Sequence, residues 1–267
     1  MRTETAVVSR GGVDDIPWLE LETIFLDVGN TLVSIDFDWV SRELAQRGIA
    51  CEPLALRRAE AAARPEVSAG IVGRVAKESQ ETFTFYLGVV LEHLPTARDV
   101  GSERISAVAA ELTPILRGPG RTQRLWSWVL PGVRDALAAM TEAGLQLAVV
   151  SNSDGSVESS LVDQGLRSHF SAIFDSHVVG FEKPDPRIFE RALEVCGAKP
   201  DRTLHVGDLY AADVVGARGA GVHPLLLDPF DDWGDVDCAR LPDLTSLGER
   251  VLPQSRDARR GQGGQER

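Results

Sequence analysis

This sequence predicts an α/β fold, a Rossmann-like doubly wound parallel sheet core with an inserted α-helical cap domain, on three observations. Short apolar runs alternate with longer stretches of helical period, the pattern of βαβ units that build a parallel sheet. Each candidate strand ends on a polar residue. The gap between the first strand and the second is far too long for an ordinary crossover of one helix and a few loop residues.

In chain order, the expected strands are 21–26 ending at Asp27, 146–150 ending at Ser151, 172–174 ending at Asp175, 203–206 ending at Gly207 and Asp208, and 222–227 ending at Asp228. Helices with one apolar face are expected over 132–143, 156–164, 187–196 and 211–219. Pro131 stands at a helix start, where its missing N–H is not needed. Gly144 and Gly165 stand just past helix ends, where a left-handed residue closes the last turn. Inside the long gap the pattern gives helices at 38–48, 53–64, 76–93 and 102–116, punctuated by Gly101 and by Gly118-Pro119-Gly120. The division that follows is a disordered N-terminus (1–19), an α/β core (20–35 and 129–251), a helical cap (36–128) joined by linkers near 34–37 and 118–130, and a disordered tail (252–267) rich in Gly, Gln and Arg.

The composition suits a soluble globular protein: 267 residues, 43 % hydrophobic and 25 % charged, are enough to bury a sizeable core. A net charge of −12, from 28 basic and 40 acidic residues, repels a polyanion and argues against a nucleic-acid surface. Small phosphorylated ligands stay open, because a metal ion or a few local donors override the global field at one site. Cys51, Cys196 and Cys238 are odd in number and widely spaced, which suggests neither a disulfide framework nor a zinc cluster. No signal segment and no apolar run of about 18 residues is present. The expectation is a cytoplasmic protein, monomer or homodimer, with no membrane partner.

Parallel sheets of this kind bind ligands beyond the carboxyl ends of their strands, so polar residues there converge although distant in sequence. Four segments qualify: Asp27-Val-Gly-Asn-Thr-Leu32, Ser151-Asn152-Ser153, Lys183-Pro-Asp-Pro186, and Gly207-Asp208 with Asp213 five residues on. Each alone also has a plain reading: a tight turn at Gly29-Asn30, a helix cap at Ser151 or Ser153, a solvated lysine, a capping aspartate. Only three of the 28 basic residues are lysine, so Lys183 in this arginine-rich chain is consistent with a need for a point charge rather than a fork.

Taken together and in this order, the four segments resemble the signature motifs of the haloacid dehalogenase-like hydrolase superfamily, in the subgroup with a helical cap inserted after the first motif. The resemblance spans about 21–230. It implies that Asp27 is a nucleophile forming an aspartyl phosphate, that Mg²⁺ is held by Asp27, Asp208 and the backbone carbonyl of Gly29, and that Asp213 orients the metal's water shell. It further implies that Lys183, Ser151, the N–H of Asn152 and Thr31 bind the substrate, a small phosphorylated metabolite. The chemistry accounts for these residue types, because a carboxylate attacking a phosphate needs a hard cation to relieve their repulsion.

One position departs from the pattern. Phosphatases of this superfamily usually carry a second aspartate two residues after the nucleophile, which protonates the leaving oxygen; here it is Gly29. A positioned acid is worth about 10²–10⁴-fold in rate. Three readings follow: substrates with good leaving groups such as acyl or aryl phosphates, chemistry other than phosphoester hydrolysis, or a substitute acid, for which Asp36, Asp38 and His177 are candidates with plain readings as a linker charge, a helix cap and a loop histidine. Three alternatives stay open: a metal-independent dehalogenase, a phosphonatase using Lys77 as a Schiff base, and a catalytically weak protein that binds a phosphorylated ligand. The aromatics Trp39, Phe83, Phe85, Tyr86, Trp126 and Trp128 offer either core packing or a surface for a substrate ring.

Overall fold

Alternation along single strands sets the architecture. In β1 (Thr23–Leu26), Ile24 and Leu26 enter one hydrophobic cluster and Phe25 enters another. After β1 come β2 (Val33–Ser34), a helical insert, β3 (Trp128–Val129), α7 (Val133–Glu142) and β4 (Gln146–Ser151), where Leu147 and Val149 point one way and Ala148 and Val150 the other. A strand buried on both faces needs helices on both. The chain continues through α8 (Val157–Asp163), β5 (Ala172–Asp175), α9 (Ser176–Val179), α10 (Pro186–Cys196), β6 (Thr203–Gly207), α11 (Val215–Gly219), β7 (His223–Leu227), β8 (Ala239–Leu241) and a helix over 244–251. Helices α7, α8 and 244–251 cover the face of Ile24, and α10 and α11 cover that of Phe25. The computed structural model describes residues 11–71 and 79–251.

Among the described residues the main sheet has six parallel strands in the order β5-β4-β1-β6-β7-β8. The chain builds outward from β1 to β4 and β5, then crosses back to β6 on the other side. This reversal makes the carboxyl end of β1 the switch point where ligands bind. The Rossmann-like parallel sheet is therefore as expected.

The insert between β2 and β3 consists of α1 (Phe37–Ala45), α2 (Pro53–Ile71), α3 (Gln80–Glu92), α4 (Ala97–Val100), α5 (Ser102–Leu116) and α6 (Thr122–Leu125). It has its own apolar cluster, with Leu44, Leu56, Leu87, Leu91, Leu112 and Leu116 fully buried. Helix α2 does not stop at 64 but runs through Pro65, since Leu56, Ala59, Ala63 and Val67 continue one buried face and outweigh the hydrogen bond a proline loses. Where linkers are expected, β2 and β3 pair antiparallel, Val33 with Val129 and Ser34 with Trp128, and fasten the base of the insert.

Other differences follow from tertiary contacts. Residues 11–19, expected to fray, fold into two 3-10 turns because Ile16 is 3 % exposed in the main core and Trp18 Nε1 donates to Val13 O at 2.8 Å. The helix expected over 211–219 starts as a π-turn, Tyr210–Val214, in which Asp213 turns inward to accept the Leu209 N–H. Residues 1–10, 72–78 (with Lys77 and the start of the helix expected from 76) and 252–267 lie outside the described residues. The three cysteines are free thiols, and no described helix is long and apolar enough to cross a membrane.

Candidate active site

Parallel register brings the four polar segments to one cavity. Asp27 follows Leu26, which pairs with Val149 and Val206, and the Asp27 N–H continues the ladder to Val206 O at 2.9 Å. Asp27, Gly29, Ser151, Asn152, Lys183, Asp208 and Asp213 all line the same cavity at the carboxyl end of the sheet. Thr31 does not. It is fully buried, its Oγ1 makes no hydrogen bond, and it borders a neighbouring cavity with Ser34, Phe37 and Trp128.

Lys183 is the electrostatic centre. Its Nζ donates to Asp27 Oδ1 and to Asp213 Oδ1, both at 2.7 Å, and only 2 % of the residue is exposed. Burial disfavours the ammonium, but Asp213 and Asp27 outweigh that and hold Lys183 above the ordinary lysine value. The backbone of Lys183 is clamped by the Asn152 side chain, which donates to Lys183 O at 2.9 Å and accepts from Lys183 N at 2.7 Å. Asn152 thus has a role that the motif did not announce, joining the β4 loop to the lysine loop.

Asp213 is anchored on both oxygens. Oδ2 accepts from Leu209 N at 2.9 Å, and Oδ1 lies 2.9 Å from His205 Nε2 as well as next to Lys183. Burial would raise this carboxyl, yet Lys183 and His205 overcome it and keep Asp213 below the usual carboxylate range. His205 stands on the apolar face of β6 against Phe189, ring centroids 4.8 Å apart, and burial lowers its own pKa. A histidine inside an otherwise apolar strand was the available signal for it. Gly207 is obligatory here: a Cβ would come within 2.1 Å of Asp213 Cγ.

Asp208 is the unsatisfied member. Its Oδ2 is buried without a hydrogen-bond partner, and burial, only partly offset by Arg64, pushes the carboxyl well above its usual range. Carboxylate oxygens of Asp27, Asp208 and Asp213 lie within 4.8 Å of one another. Clustered hard oxygen donors with one orphaned oxygen fit a Mg²⁺-sized cation. Asp213 has both oxygens engaged, so Asp27 and Asp208 are the carboxylates with capacity to spare.

The insert contributes groups that the motifs do not reveal. Arg64 of α2 forms a buried ion pair with Glu60 at 2.8 Å, and its Nε lies 3.5 Å from Asp208 Oδ2. Glu60 Oε1 also accepts from Asn30 Nδ2 at 2.8 Å, while Asn30 Oδ1 accepts from Ser34 at 2.6 Å. Asn30 holds a left-handed backbone, φ 51°, which an asparagine tolerates better than most residues. A Glu–Arg pair spaced i,i+4 among alanines was visible in the sequence, but it reads there as a solvated surface pair.

Further seams between insert and core are Arg58–Asp232, Arg117–Asp154 and Gln123–Ser159. Phe83, Tyr86 and Trp126 border the cavity, whereas Trp39 and Phe85 belong to the packing of the insert. The candidate substitutes for the missing acid lie elsewhere. Asp36 caps α1 through Trp39 N, Asp38 is exposed in the first turn of α1, and His177 is exposed beside Gly155. None of the three lines the cavity.

Comparison with known proteins agrees with this geometry. The family model for haloacid dehalogenase-like hydrolases matches residues 21–221. Human haloacid dehalogenase-like hydrolase domain-containing protein 3 is 30 % identical over 212 residues, 78 % of this chain and 82 % of that protein. A phosphoserine phosphatase of Thermus thermophilus is 40 % identical over 99 residues, 37 % of this chain and 40 % of its own. Among solved structures, the Bacillus subtilis HAD-hydrolase YfnB bound to magnesium superposes with a TM-score of 0.57 at 17 % identity, covering 86 % of this chain and 98 % of that one, a likeness of fold. A model matching most of the chain, on the segments that meet in this cavity, makes the protein a member of the haloacid dehalogenase-like hydrolase family.

Proposed function

We propose that the chain is a Mg²⁺-dependent phosphatase of a small phosphorylated metabolite, working through an aspartyl phosphate on Asp27. The observation that supports this most is the Lys183 ammonium, set 2.7 Å from both Asp27 and Asp213 in a buried site. It marks the point where a carboxylate and a phosphate can share one fixed positive charge. Relatives named as phosphatases, the Thermus phosphoserine phosphatase among them, favour the same chemistry.

When bound, Mg²⁺ would neutralise charge between the carboxylate and the phosphate; Asp27, Asp208 and the Gly29 carbonyl are the groups to hold it. In the first step an Asp27 carboxylate oxygen forms a bond to phosphorus and the bond to the leaving oxygen breaks. Lys183, the Ser151 hydroxyl and the Asn152 N–H hold the phosphoryl oxygens. In the second step water attacks the same phosphorus and releases phosphate from Asp27. The helical insert acts as a cap that keeps bulk water out. The net charge of −12 disfavours nucleic-acid substrates.

The test is phosphate release from acetyl phosphate, p-nitrophenyl phosphate and alkyl phosphates, each with Mg²⁺ and with EDTA. Release that requires Mg²⁺ is expected. Absence of release from every ester would overturn the reading, and halide release from a 2-haloacid without metal would replace it with dehalogenation.

A further inference from the structure

In an in-line displacement the leaving oxygen departs on the side of phosphorus opposite the attacking carboxylate. With Asp27 at the floor, the leaving group therefore faces the roof of the cavity, which the insert and its return segment supply. That roof is aromatic. Tyr86 and Trp126 have ring centroids 6.3 Å apart at 35°, and Phe83 and Tyr86 5.8 Å apart at 38°. Trp126 also fills the space over the loop after β1, since a Cβ on Gly29 would lie 3.4 Å from its Cζ3.

Among the described residues, the cavity offers no surplus positive charge for a second anionic group. Arg64 is matched by Glu60 and Asp208, Arg117 by Asp154, and Lys183 by Asp27 and Asp213. Two proton donors beside the cavity are already engaged. The Tyr86 hydroxyl is turned toward Glu60 Oε1 at 3.4 Å, and Asp154 accepts from Ser156 at 2.6 Å besides facing Arg117.

Resting on the reading of Asp27 as phosphate acceptor, we propose that the substrate is an aryl phosphate, the phosphate monoester of an uncharged aromatic alcohol whose ring stacks against Trp126 and Tyr86. The chemistry and the geometry agree. As the Asp27–phosphorus bond forms, the bond from phosphorus to the aryl oxygen breaks and the oxygen keeps the electron pair, leaving as a phenolate that takes its proton from water afterwards. A phenol has a pKa of about 10, against about 16 for a hydroxyl such as that of water, so only the aryl oxygen leaves readily without a proton donor.

The experiment measures kcat/KM of the full chain with Mg²⁺ for substituted phenyl phosphates of graded leaving-group pKa, for acetyl phosphate, and for glycerol phosphate and phosphoserine. Aryl esters should exceed the alkyl esters by about 10²-fold or more, with a steep fall as leaving-group pKa rises. In Trp126→Leu the ratio of kcat/KM for phenyl phosphate to that for acetyl phosphate should fall about tenfold, the size of a lost stacking contact. Alkyl esters turned over as fast as aryl esters, or an unchanged ratio in Trp126→Leu, would overturn the inference. Formation of a Mg²⁺-dependent beryllofluoride adduct on Asp27, followed by ¹⁹F NMR, separates the two readings. With the adduct present, failure of the aryl series defeats only the substrate assignment; with no adduct and no turnover of any ester, the nucleophile reading falls and takes this one with it.

Discussion

The indole of Trp126 lies against Gly29, so that a Cβ added at residue 29 would stand 3.4 Å from Cζ3 and 3.7 Å from Cη2. A methyl group there would touch the ring at ordinary contact distance, and a carboxylate beyond it would have to share the space that the indole borders. Gly29→Asp alone should therefore give no gain on alkyl phosphates. The double variant Gly29→Asp with Trp126→Gly should gain at least about tenfold over Trp126→Gly, part of what a general acid contributes. Steady-state kinetics on glycerol phosphate decides it, and a clear gain from Gly29→Asp alone would contradict the steric account.

Asp27→Asn keeps the shape of the nucleophile but removes its charge. Turnover should fall by about 10⁴-fold or more, as when other covalent nucleophiles are removed, while the far-UV circular dichroism spectrum stays unchanged. Retained activity would move the nucleophile elsewhere.

Lys183→Met leaves Asp213 and Asp27 buried without their shared cation. A broken buried pair costs about 3–5 kcal/mol, readable as a lowered urea midpoint. Lys183→Arg should not rescue activity, because a planar fork cannot replace a point charge seated between two carboxylates.

Arg64 places a positive charge 3.5 Å from Asp208 Oδ2, the oxygen with no hydrogen-bond partner. Its charge opposes a divalent cation at that oxygen, so Arg64→Met should tighten Mg²⁺ binding by about tenfold or more by calorimetry. Weaker binding would show that Arg64 supports the metal site through packing.

Gly207→Ala puts a methyl group 2.1 Å from Asp213 Cγ. Asp213 must then leave Lys183, His205 or the Leu209 N–H. Overpacking of this kind costs about 1–3 kcal/mol, and the thermal midpoint should drop together with activity.

Much of the sheet was legible because both-face burial writes itself as short apolar runs, and because a parallel strand ends where its polar residue begins. The boundaries moved by one to two residues, as at Thr23 and Ser151. The two-residue ribbon of β2 and β3 was not legible, since two residues carry no period and their pairing joins Val33 to Val129 across the whole insert. The π-turn at Tyr210–Val214 escaped for a similar reason: a helical period does not reveal that Asp213 turns inward.

The sequence by itself determined the four polar segments, their order and the absence of an acid at residue 29, because these are properties of residue type at strand ends. Tertiary structure alone decided what stands over Gly29 and which side chains hold Asp213 and Asp208. Trp126 and Gly29 are nearly a hundred residues apart in the chain, and Arg64 and Asp208, 3.5 Å apart in space, are separated by still more. Such contacts arise from how the insert docks on the sheet, and that docking is fixed by seams such as Arg58–Asp232 and Asn30–Glu60 whose partners carry no shared local pattern.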